Sequence, residues 1–227
     1  MNRIAMKPSV VATAEALALR ELRKLVTEGE GLQLEFKRKA TYPEKIVREL
    51  IAFANTEGGT LLIGVDDDRS IPGIKYPDEE SHVVKEALHH SCKPALAYHE
   101  TLISISENRY VIRIDVPPSP KRPHYLTLEG SERTTFVRVF DKSIKASKEM
   151  EEIVRRSKKN KDTRFVFGEY EKQLLEYLSL HPSISLSVFR TFSGLNRFQA
   201  SRKLILLVLA NVLKITASEK GDLYSRV

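Results

Sequence analysis

The chain has 227 residues, 41% hydrophobic and 30% charged, which is globular composition with room for one large domain or two modest ones. A single cysteine, Cys92, excludes an internal disulfide and a multi-cysteine zinc site, and no apolar run approaches the ~20 residues of a membrane-spanning helix. The net charge of +7 is unevenly placed: residues 1–141 hold 20 Lys+Arg against 21 Asp+Glu, whereas residues 142–227 hold 17 against 9. A basic last third suits a polyanionic partner, and equally a solubilising surface. The stretch 1–12 has Arg3 and Lys7 but no continuous apolar core, so a secretory signal is not expected and the cytoplasm is the expected location.

Leu19, Leu22, Leu25 and Val26 share one face of a predicted helix that starts after Thr13, a suitable N-cap, and stops before Gly29. From Leu32 the period changes to two. Leu32, Leu34 and Phe36 alternate with Gln33, Glu35 and Lys37, the pattern of a half-buried strand. A second helix opens at Pro43, repeats Ile46, Val47, Leu50, Ile51 and Ala54 at helical spacing, and ends at Gly58 and Gly59. Residues 60–65 read as a short buried strand, 66–70 as a polar turn, and 71–74 as a segment pairing back. A third helix runs from Asp78 to the Lys93-Pro94 dipeptide. Residues 102–105 and 110–114 flank Glu107-Asn108 as an antiparallel hairpin, 134–140 form a further strand, and 147–159 a charged helix. This mixture predicts an α+β fold, a mixed sheet with flanking helices, over residues 15–157. Residues 1–14 would be an N-terminal extension and 158–167 a linker.

Side-chain alternation puts Glu35 and Lys37 on one face of the first strand, with Glu30 at its entrance and Asp67 at the end of a neighbouring strand. Converging carboxylates suit Mg2+ or Mn2+, which take hard oxygen ligands, and Lys37 would then face charge developing on a phosphate. A solvated ion-pair surface and an ordinary aspartate turn account for the same residues. The segment 30–37, then Ala52-Phe53-Ala54-Asn55-Thr56-Glu57-Gly58-Gly59-Thr60 and Ile63-Gly64-Val65-Asp66-Asp67-Asp68, closely resembles the Schlafen AlbA_2 domain family. The likeness continues through Pro118-Ser119-Pro120, Arg122-Pro123-His124-Tyr125 and Val137-Arg138-Val139.

That resemblance implies a compact α/β fold that binds nucleic acid and, by analogy with vertebrate Schlafens, a metal-dependent endoribonuclease acting on tRNA or other structured RNA. The catalytic carboxylates would correspond to Glu30, Glu35 and Asp67, with Asp66 as the fallback for the third. The vertebrate proteins place two related lobes in one chain. This chain has one, so a homodimer would rebuild their cleft. Their zinc site needs His and several Cys, and His89, His90 and Cys92 do not supply it, so no zinc is expected. No Gly-rich loop ending in Gly-Lys-Ser/Thr is present, so no nucleotide P-loop is expected.

In residues 168–227, helices around Leu174 to Leu178 and around Leu186 to Phe189 precede a Ser193-Gly194-Leu195-Asn196 turn and a third helix reaching Leu209. Segments 215–217 and 223–226 flank Glu219-Lys220-Gly221-Asp222 as a hairpin. The order resembles a winged helix-turn-helix domain. Its third helix would offer Arg197, Gln199, Ser201, Arg202 and Lys203 to a DNA groove, with Lys220 on the wing. Lys121 and Arg122, in a proline-rich loop of the first domain, are further candidate phosphate contacts. Two functions follow: a DNA-binding transcriptional regulator, or the metal-dependent ribonuclease. A winged fold used for protein contact would fit the same tail.

Overall fold

The computed structural model of the chain describes residues 10–157 and 167–227, so most of the expected extension and linker lie outside the described residues. Helix α1 (Val10–Glu28) starts earlier than its sequence signal suggested. Thr13 lies within it instead of capping it, because no glycine or proline interrupts the sequence between Pro8 and Gly29. Gly29 ends the helix at φ +83°, a left-handed conformation open to glycine at little cost.

Strands β1 (Leu34–Lys37) and β2 (Gly59–Ile63) are parallel and are linked by helix α2 (Pro43–Asn55). After helix α3 (Pro77–Ser91) and the short β3 (Cys92–Lys93), β4 (His99–Ser106) and β5 (Arg109–Val116) form the expected hairpin, with Asn108 at φ +60° in its turn. Strands β1, β2, β4 and β5 make a mixed sheet in the order β1-β2-β5-β4. Segment 71–74 forms no strand, and within it only Ile74 bridges, to Tyr110.

Helices cover both faces of the sheet. Leu22 and Val26 of α1 pack on Leu34, Phe36, Leu62 and Val111. On the other face, Ile46, Leu50 and Phe53 of α2 and Val84 of α3 pack on Leu61, Ile63 and Ile112. Leu61 and Leu62 therefore serve opposite cores, the result of period-two alternation in a strand buried on both sides. The α2 stop is steric as well as conformational. A Cβ on Gly58 would sit 2.7 Å from Val116 O, and one on Gly59 2.3 Å from the Phe53 ring.

Beyond β6 (Tyr125–Leu126), a hairpin of β7 (Phe136–Val139) and β8 (Lys142–Lys145) lies over α2, and α4 (Lys148–Arg156) follows, its N-cap Ser147 accepting from the Met150 amide. The remaining residues form α5 (Glu169–Leu180), β9 (Ile184–Ser185), α6 (Leu186–Ser193), α7 (Arg197–Leu209), β10 (Leu213–Thr216) and β11 (Leu223–Arg226). Their sheet runs β10-β11-β9 around a separate core of Leu174, Phe189, Leu204 and Tyr224. The two-residue β9 has too short an apolar pattern to stand out in sequence. Val137, Ile144, Met150 and Val154 meet Ala217 in a smaller cluster joining the two units. No helix among the described residues is long and apolar enough to cross a membrane.

Candidate functional site

Glu35 and Lys37 share a face of β1 as alternation requires, and they pair with each other. That face is interior: Glu35 is 7% exposed, so it is not a solvated surface group. Its second oxygen meets Arg138 Nη1 at 3.0 Å, and the same nitrogen lies 2.9 Å from Glu49 Oε2. Ser143 Oγ donates to Glu49, Arg48 lies 3.2 Å from Glu49 Oε1, and the Arg138 guanidinium stacks over Phe53 at 4.9 Å. Burial lifts the Glu35 carboxyl above its ordinary 4.5; the hydrogen bond from Lys37 opposes that rise, and the Glu49 and Glu30 charges add to it.

The same side chains close the outer edge of β1. Thr60 and Gly64 donate to the carbonyls of Gln33 and Lys37, so the backbone groups of Leu34 and Phe36 face away from β2. The Phe36 amide is taken by Glu30 Oε1, Phe36 O by Lys37 Nζ at 2.8 Å, and Leu34 O by the Gly31 amide at 3.0 Å and Arg138 Nη2 at 3.4 Å. Three of the four outward-facing backbone groups are thus satisfied within the domain, and the fourth, the Leu34 amide, lies in the Gly31–Leu34 bridge.

Glu30, Glu35 and Asp66, carboxylates expected to hold a metal ion, have other partners in this arrangement. Both Glu35 oxygens face cations, Glu30 caps a backbone amide, and Asp66 pairs with Arg38 at 3.2 Å. Asp67 is exposed in the turn after β2, with its amide bonded to Asp66 Oδ1 at 3.1 Å. Among the described residues, no group of three or more His, Cys, Asp or Glu side chains is placed to hold a metal ion. Glu30, Glu35 and Asp67, with or without Asp66, therefore do not fit Mg2+ or Mn2+ as arranged, because protein cations already occupy the positions facing the buried carboxylate.

The Asn55-Thr56 segment has a positional role. The Asn55 amide donates to His124 O, Thr135 Oγ1 and Phe136 O at 3.1, 2.7 and 3.0 Å, and its carbonyl accepts the His124 amide at 2.8 Å. Thr56 Oγ1 accepts from the Arg138 amide at 3.0 Å. Together they fasten β6 and β7 to the end of α2. Arg122, a candidate phosphate contact, instead reaches Thr56 O at 3.2 Å, whereas Lys121 is exposed.

On α7, Gln199 and Arg202 are exposed. Ser201 donates to Glu149 of α4 at 2.8 Å, Arg197 lies 3.8 Å from the same carboxylate, and Lys203 pairs with Glu171 of α5. Ser201 and Lys203 are therefore removed from the solvent-facing set, because α7 packs sideways against α4 and α5. Beside this helix, Arg190, Arg197 and Lys220 surround a cavity of about 230 Å3 that also contains Ser185 and Ser187 at the start of α6. Sequence reading missed Arg190. Glu149 and Asp222 share the cavity, and Asp222 accepts from Ser147 Oγ. Tyr224 is fully buried, its hydroxyl has no hydrogen-bond partner, and burial pushes its ionisation upward.

The first unit is an α+β domain in which a mixed sheet carries helices on both faces. The Schlafen AlbA_2 family model matches residues 30–147, and the chain belongs to that family. Among solved structures, the chain is similar to the N-terminal domain of a protein from Nitrosomonas europaea named as ATP-dependent DNA helicase RecG-related, at 21% identity and a TM-score of 0.41 over 65% of this chain and 95% of that one. It is also similar to a protein from Corynebacterium diphtheriae, at 15% identity and a TM-score of 0.44 over 93% of this chain and 38% of that one.

Proposed function

We propose that this protein is a DNA-binding transcriptional regulator in which residues 168–227 form a winged helix-turn-helix domain. The observation that carries the reading is the convergence of Arg190, Arg197 and Lys220, from α6, α7 and the β10–β11 turn, on one cavity containing hydroxyl groups. Three cations on three elements, with two serines at a helix start, suit phosphate oxygens of a duplex backbone. The order α5-β9-α6-α7-β10-β11 and the excess positive charge after residue 141 agree with it. In this reading Gln199 and Arg202 face the base edges, and a homodimer places two such helices on a two-fold site. The ribonuclease alternative draws less support, since Glu35 is ion-paired and buried.

Duplex binding followed by fluorescence anisotropy across a KCl series tests this. A log K against log salt plot should steepen with each phosphate neutralised, and R190A/R197A/K220A should flatten it by about 2 to 3 in slope. An unchanged slope, or a marked preference for tRNA over duplex DNA, would reject the proposal.

A further inference from the structure

We infer that the cleft between the two units is a binding site for a small organic anion with an apolar body. The cleft has a volume of about 390 Å3, within the range of small-molecule sites, and lies between the β7–β8 hairpin, α4 and β10. Val139, Met150, Val154 and Ile215 line it, contributed by both units.

Its mouth holds features that packing alone leaves unexplained. Phe140 is 78% exposed and sits at φ +55°, a left-handed conformation unfavourable for a bulky residue. Leu32, also at the cleft, is 37% exposed. An apolar body resting on these side chains removes their surface from water. Lys214 is exposed and has no acidic partner among the described residues, which supplies a cation for an anionic group. Glu57 offers an acceptor for an N–H or O–H on the ligand, and Arg138, which also lines the cleft, keeps a buried Nε without a partner. The walls come from both units, so occupancy fixes β10 relative to α4.

The probe is 8-anilinonaphthalene-1-sulfonate, which combines fused rings, a sulfonate and one N–H. Titration into the full chain should show one saturable site. Val139→Trp and, separately, Thr216→Trp fill the cleft and should abolish that site while native circular dichroism is retained. Lys214→Glu, a surface change, should weaken binding about tenfold. Absence of saturable one-to-one binding, an unchanged affinity in Lys214→Glu, or unchanged binding in a folded tryptophan variant overturns the inference.

Discussion

Glu30 Oε1 accepts the Phe36 amide at 2.8 Å, a side-chain bond that finishes the open edge of a strand six residues downstream. Glu30→Ala should cost about 1.5 to 3 kcal/mol, the range for a hydrogen bond to a charged group. Glu30→Gln keeps an accepting oxygen and should recover most of that loss. Urea denaturation of both variants checks this; equal losses would show that charge, and not the amide cap, is what matters.

Arg138 is fully enclosed by Glu35, Glu49, Ser143 and two backbone carbonyls. Arg138→Met leaves two carboxylates buried without their shared cation and should cost about 3 to 5 kcal/mol. The midpoint of chemical denaturation measures it, and a change below about 1 kcal/mol would refute the account.

Glu35 has a folded-state pKa raised above 4.5, so the folded protein holds this proton more tightly than the unfolded chain. Its contribution to stability falls as pH rises from below 4.5 through the raised value. Relative to Glu35→Gln, wild type should lose stability over that window and level off above it. Parallel pH profiles of thermal melting would expose the opposite slope if burial were not the governing cause.

Glu171 behaves in the other direction. Burial alone would raise its pKa, but the hydrogen bonds from Lys203 and from backbone amides outweigh burial and bring it below 4.5. The stability it supplies is present above 4.5 and is lost as pH falls through the depressed value. Lys203→Met should destabilise the C-terminal unit and remove much of this acid sensitivity, with a smaller effect on the salt slope of DNA binding than R190A/R197A/K220A. Melting curves at several pH values alongside anisotropy separate the two effects.

Cys92 is 1% exposed and burial pushes its thiol up to about 11. Native protein should react slowly with Ellman's reagent at pH 8, and denaturant should release one thiol per chain. Rapid native labelling would contradict the packing around β3.

Much of the framework was legible because it is local. Pro43 and the Gly58-Gly59 pair bracket α2, Asn108 marks the hairpin turn, and the Asn196 cap starts α7. The carboxylate region was not, since its decisive partner lies 103 residues from Glu35 and 89 from Glu49. Val137-Arg138-Val139 was visible as a segment, but sequence spacing cannot show that β7 lies across α2. One signal was available: Glu49 lies three residues after Ile46 and four before Phe53, on the apolar face of α2, and a carboxylate there needs an interior cation. The partners of Ser201 and Lys203, Glu149 and Glu171, were hidden for a related reason, because helix periodicity identifies a face without identifying the neighbour that covers it.

With the outer edge of β1 closed by Glu30, Lys37, Arg138 and the Gly31 amide, the main sheet keeps one margin without a paired strand among the described residues, along β4. Backbone-mediated growth from that sheet has a valence of one. Two copies joined β4 to β4 leave no further strand to extend, so propagation through this sheet terminates at a pair and cannot continue into a fibre.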